Sequence, residues 1–153
     1  MDKLSALVTA HPELFRGKPP AVASELPGGW FDIVDGLCRD IEDLLGPAPG
    51  RIEIQQIKEK FGGLRFYFSL DGFEDMFADL QTDHGIRMLI AKADGPPLMD
   101  RIRELVAAAS SRSTTTCEAC GAQGTRAARG GWVSTLCPQH ADEAENQQAS
   151  DDK

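Results

Sequence analysis

CEACGAQGTRAARGGWVSTLCPQH, residues 117–140, is the stretch on which the reading of this chain turns. Cys117 and Cys120 form one pair and Cys137 and His140 a second, each with two intervening residues, and sixteen residues separate the pairs. A two-residue spacing lets one tight turn present both side chains to the same ion, and two such knuckles complete a tetrahedron. Three thiolates and one imidazole suit zinc, whereas calcium, magnesium and manganese take oxygen ligands. One bound Zn2+ is therefore expected, held by Cys117, Cys120, Cys137 and His140. All four coordination positions are then filled by protein, which makes the expected ion structural and leaves no place for a reacting water or substrate.

The spacer fits a zinc ribbon. Gly121 follows the first pair, where a turn around a metal commonly demands a positive φ. TRAAR and WVSTL, joined by Gly130 and Gly131, read as a hairpin that returns Cys137 to the first pair. Pro138 then sits in the first turn of a short helix, where its missing donor costs nothing. A redox dithiol at CEAC is the competing reading, but such motifs lie between a strand and a helix of a thioredoxin-like unit, not before a glycine-rich loop. Four unrelated residues at this spacing would be a rarer coincidence still.

Working back from the ribbon, SSRSTTT (110–116) reads as a linker. Before it, Leu98, Ile102, Leu105, Val106 and Ala109 recur on one helical face, and Trp132 is the natural residue to dock the ribbon there. Ile86, Leu89, Ile90 and Ala93 mark another helix, broken at Gly95, Pro96 and Pro97. Asp71 reads as an N-cap, with Glu74 completing a capping box for a short helix that buries Phe73, Met76, Phe77 and Leu80. Residues 71–83 hold five acids and no basic residue. They lack a calcium-loop pattern and read as a solvated face or a dock for a basic partner.

RIEIQQIKEKFGGLRFYFSL, residues 51–70, is the second distinctive stretch. Leu64, Phe66, Phe68 and Leu70 alternate with Arg65, Tyr67 and Ser69, the period of a half-buried strand. Ile52 and Ile54 begin a less regular partner strand, and Gly62 with Gly63 supplies the turn. The outer surface of this hairpin is expected to show Lys58, Lys60, Arg65 and Tyr67, in a stretch with four basic and two acidic residues. Such a surface suits single-stranded nucleic acid or a protein partner, although one tyrosine is a meagre stacking platform and lysines also discourage edge pairing.

Earlier still, Trp30, Ile33, Val34, Leu37, Cys38, Ile41, Leu44 and Leu45 define a helix stopped at Gly46 and Pro47. Its other face, with Asp32, Asp35, Arg39, Asp40, Glu42 and Asp43, reads as solvated, and Cys38 as a buried, inert thiol. GKPPAVASELPGG (17–29) is a loop. Leu4, Leu7, Val8, His11, Leu14 and Phe15 form a helical stripe interrupted by Pro12. The expected fold class is α+β, with helices packed on a small antiparallel β-hairpin or sheet and a zinc ribbon after them. The boundaries expected are 1–112 for the α+β domain, 113–141 for the ribbon and 142–153 for a disordered acidic tail.

Composition bounds the function. Of the net charge of −8, residues 141–153 carry −4, from five acids and one lysine. That acidity works against duplex DNA binding by bulk attraction. No apolar run is long enough for a membrane span, no export signal is visible in MDKLSALVTA, and the cysteine usage suits a reducing cytoplasm. The sequence holds no phosphate loop, nucleophile elbow, HExxH or Rossmann glycine pattern. Outside the ribbon only His11 and His84 can titrate near neutrality, and they read as a packing residue and a helix-start residue.

Together, GWFDIVDGLC, QIKEKFGGLRFYF, CEACG and WVSTLCPQH resemble a group of small, uncharacterised bacterial and phage-associated proteins. The resemblance spans about residues 28–141 and departs around Gly95 to Pro97. It implies the order of elements and the zinc ligands, and brings no activity with it. The function expected is a non-catalytic zinc-binding protein-interaction module, such as a phage or mobile-element factor acting on a host protein. The alternative is a single-stranded nucleic-acid-binding zinc ribbon using Lys58, Lys60, Arg65, Tyr67, Arg126, Arg129 and Trp132. An enzyme is the remaining class.

Overall fold

The structure is a computed structural model that describes residues 2–47, 52–70, 73–74 and 96–151. It is α+β. Asp2 caps α1 (Lys3–Ala10) by accepting from the Ser5 N–H at 3.0 Å. Pro12 ends that helix and opens the single turn of α2 (Pro12–Phe15). A 3-10 turn (Gly28–Trp30) leads into α3 (Phe31–Leu45). Then come strands β1 (Ile52–Lys60), β2 (Gly63–Leu70) and β3 (Phe73–Glu74), helix α4 (Pro96–Ser113), strands β4 (Thr125–Arg129) and β5 (Trp132–Leu136), and helix α5 (Pro138–Asp151).

β1, β2 and β3 form an antiparallel sheet in that order. Ile52, Ile54 and Ile57 of β1 and Leu64, Phe66, Phe68 and Leu70 of β2 are buried on one face. Packed with them are Leu7, Leu14, Trp30, Val34, Leu37, Ile41, Met99 and Ile102 from the helices and the 3-10 turn. The uneven alternation of β1 has a cause: the register jumps between Ile54 and Gln56, so the extra residue Gln55 moves the buried positions from even to odd numbers. The exposed edge of β1 is covered by the loop before α3. Val22 and Glu25 donate to the carbonyls of Gln55 and Ile57 at 3.3 and 2.9 Å, and Ile57 N donates to Ser24 Oγ at 3.0 Å.

Several expectations are corrected. The first hairpin turns at Phe61 and Gly62, both at positive φ, with Lys60 paired to Gly63, so Gly63 is already strand. Phe73 and Glu74, assigned to a capped helix, form β3 instead, pairing with Leu70 and Ser69. The expected helices over 75–80 and 86–93, together with Asp71 and His84, lie outside the described residues. Pro96 begins α4, which continues through Ser113, so part of the expected linker is helical. The expected disordered tail is helical through Asp151. Its alanines, glutamates and glutamines are strong helix formers, and Ala141 and Ala144 pack on Leu136 and the cysteines.

His11 and Asp35 also differ from their sequence readings. His11 is buried with both ring nitrogens engaged: Nε2 lies 2.9 Å from Asp35 Oδ1 and Nδ1 2.9 Å from Glu42 Oε2. Asp35, on the face read as solvated, is itself buried and also pairs with Arg39. Burial pushes the Asp35 carboxyl up, but His11 and Arg39 outweigh it and hold the group below its ordinary value. His11→Ala is expected to lower stability by about 2 kcal/mol, because among the described residues Asp35 then keeps Arg39 alone. A thermal melt unchanged from wild type would contradict that.

The same pair predicts an acid response. A folded-state value below the usual one means that ionised Asp35 adds stability above about pH 4, and that this contribution fades as pH falls through the lower folded value. Asp35→Asn should lose stability at neutral pH and show a shallower acid decline than wild type. Equal acid slopes in urea titrations of the two proteins would count against the pairing.

Candidate metal centre

The ribbon is built by one hairpin and two turns. β4 and β5 pair from Thr125↔Leu136 to Arg129↔Trp132 around Gly130 and Gly131, which brings Cys137 back beside the first pair. Gly121 takes φ +82° in the first knuckle, as expected there. The ligand atoms of Cys117, Cys120, Cys137 and His140 all lie within 4.8 Å of one another.

Their spacing fits one tetrahedral ion. Metal–sulfur bonds of about 2.3 Å and a metal–nitrogen bond of about 2.0 Å give sulfur–sulfur edges of about 3.8 Å and sulfur–nitrogen edges of about 3.5 Å. Cys120 Sγ and Cys137 Sγ are 3.8 Å apart, and Cys117 Sγ is 3.5 Å from His140 Nδ1. The Cys137 Sγ to His140 Nδ1 edge is tighter, at 3.1 Å. His140 thus turns Nδ1 inward and leaves Nε2 outward, 3.9 Å from Glu143 Oε2, where a carboxylate can steady the ring.

Electrostatics favour a cation at this point. Burial raises the Cys117 thiol, but the backbone N–H groups of Cys137, Cys120 and Ala119 outweigh it and bring the thiol down to about 6. Cys137 is lowered, first by the His140 N–H. Cys120 moves upward: the Ala122 N–H lowers it, yet burial and the Cys117 and Cys137 sulfurs together prevail. Contact with the Cys137 sulfur raises His140. A divalent cation relieves the crowding that these groups impose on one another. Cys38, by contrast, is raised by burial and by Glu42 and Asp35, as an inert thiol should be.

The ribbon is fastened to the α+β body at two places. At the first knuckle, Gly29 N donates to Glu118 O and Trp30 Nε1 donates to Thr116 O, both at 2.8 Å. At the tip of the first hairpin, Thr135 Oγ1 donates to Gly62 O and Arg126 Nε to Phe61 O, both at 2.6 Å. Trp132, expected to be the docking residue, is 67% exposed, whereas the fully buried Trp30 takes that part. Gly29, Glu118 and Thr135 were not singled out from the sequence. The adjacent Gly28–Gly29 before an aromatic residue was the one available signal of a close backbone approach.

The residues read as a basic surface are dispersed in role. Lys58, Lys60, Arg65 and Tyr67 are half-buried on β1 and β2, and Lys58 Nζ lies 5.4 Å from the centre of the Tyr67 ring. Arg129 donates to the carbonyls of Ala127 and Ser134 and to Ser134 Oγ at 3.2–3.4 Å. Arg126 is committed to the hairpin tip. Among the described residues no helix is long and apolar enough to cross a membrane.

The fold and the site define an α+β protein with a Cys3His cluster fit to bind a metal ion. No family model, curated protein or solved structure matches the chain.

Proposed function

We propose that the chain is a non-catalytic, zinc-binding protein-interaction module. The observation that carries this reading is the closed cage: four protein ligands converge on one point, and their backbone is tied to the body through Gly29 and Trp30. An ion so enclosed has no vacant position for chemistry, and three thiolates with one imidazole select zinc. Its work is to hold the ribbon's surface in a fixed setting. Trp132 on the ribbon, 67% exposed, and Phe61 at the tip of the first hairpin, 56% exposed, are large apolar groups left on the surface, and aromatic residues of this kind anchor protein interfaces.

The resemblance to bacterial and phage-associated proteins supports a factor that occupies a host protein. Single-stranded nucleic acid is less well supported, because Arg126 and Arg129 already donate to carbonyls and Lys58 lies over Tyr67. Elemental analysis should find about one zinc per chain. Affinity capture from lysate of the encoding organism should recover the same protein repeatedly, and repeated failure would count against the reading. Salt-sensitive fluorescence anisotropy with labelled single strands would favour nucleic acid instead.

A further inference from the structure

A shallow groove of about 380 Å³ runs between β5 and α5. Buried Leu136 and half-buried Ala144 line it on the inside, with exposed Trp132 and Glu143 and half-buried Glu118 around them. Arg129 is its one lysine or arginine among the described residues, and that guanidinium is turned onto Ser134 and Ala127. α5 adds Asp142, Glu145 and Asp151 and no lysine or arginine, and its His140, also on the groove wall, is one of the four metal ligands. α5 is joined to the hairpin at both ends of the groove. At one, the Ala141 N–H bonds the Cys137 carbonyl at 2.9 Å beside the metal ligands; at the other, Gln148 Nε2 donates to Arg129 O at 3.3 Å.

We propose that this groove receives a basic segment of a protein partner, with an arginine side chain stacked on Trp132 and paired with Glu143 and Glu118. The proposal rests on the interaction reading and names the chemistry of its partner. A guanidinium is the side chain that suits all of these surfaces: its plane lies on an indole face, its N–H groups pair with carboxylates, and its stem covers Leu136 and Ala144. An acidic segment would bring like charge to Glu143 and Glu118, which already accept from Gln139 Nε2 at 3.2 Å and from the Thr135 N–H at 3.3 Å, and a purely apolar one would cover both without adding a partner. A net charge of −8 also steers basic partners toward the chain.

The test uses the full zinc-loaded chain and a short amidated peptide with a central arginine between two lysines, against versions with citrulline, lysine or glutamate at the centre. Trp30 is fully buried and Trp132 exposed, so a change in tryptophan emission reports the groove. The arginine peptide should shift that emission saturably at physiological salt, and citrulline should weaken binding by about tenfold. By calorimetry, Trp132→Ala and Glu118→Gln, the latter keeping an acceptor for the Thr135 N–H, should each weaken it by about fivefold or more, while Glu145→Gln leaves it unchanged. Circular dichroism and zinc content of each variant must match wild type.

Absence of binding, equal binding of the citrulline or lysine peptide, or full affinity in Trp132→Ala overturns the proposal. Capture of a reproducible partner by Trp132→Ala at wild-type yield removes the groove and keeps the interaction reading. Groove binding of the arginine peptide without any captured protein keeps the groove and removes that reading.

Discussion

Cys137→Ala is expected to abolish stoichiometric metal binding and to unravel the ribbon. Cys137 contributes one of four ligands, its sulfur lies within 3.8 Å of Cys120 Sγ, and it also begins the turn that brings His140 into place. A structural zinc in a small module is worth roughly 10 kcal/mol of folding free energy, and losing one of the four ligands removes much of it. Amide spectra should lose dispersion for residues 114–141, while the signals of α3 and the β1–β2 hairpin persist. Elemental analysis of the purified variant gives the decisive number, and wild-type zinc content there would sink the four-ligand assignment.

Gly29→Ala separates docking from chelation. A Cβ at this position would lie 2.0 Å from Cys117 O, 2.6 Å from Gly121 N and 2.8 Å from Cys120 N, all backbone atoms that cannot rotate away. The knuckle and the 3-10 turn must therefore move apart, which breaks the Gly29 N–H bond to Glu118 and the Trp30 indole bond to Thr116. The expected cost is about 3 kcal/mol or more, a fall in Tm of about 6 to 12 °C for a chain of this size. Zinc should remain bound, since all four ligands belong to the ribbon. A variant that melts with wild type, or that loses its metal, would contradict this separation of roles.

What the sequence made legible follows from how local each signal is. The metal cluster was readable because two short spacings and one glycine-linked hairpin suffice to gather four ligands. The buried faces of α3 and β2 were readable because their periods run unbroken through Ile33 to Leu45 and Leu64 to Leu70. Contacts between distant segments left no such trace. His11 meets Asp35 and Glu42 across 24 and 31 residues, and nothing in either stretch alone marks the pair. Trp30 and Trp132 could not be sorted by composition, because the docking role depends on which indole N–H meets an unpaired carbonyl. Charge alone makes the C-terminal segment look disordered, but its helix-forming alanines and glutamines and the small apolar seat under Ala141 and Ala144 make it a helix.

The loop from Val22 to Glu25 bears on self-association. It runs along β1 like a further strand, yet Ser24 meets Ile57 through a hydroxyl rather than an amide, so the pattern cannot propagate to another neighbour. A chain clipped there would offer the amide of Ile57 and the carbonyl of Gln55 to a second molecule, and fibre-like growth through that border becomes open to it. On the β1 side, growth of this small sheet is thus limited by four residues that belong to none of its strands.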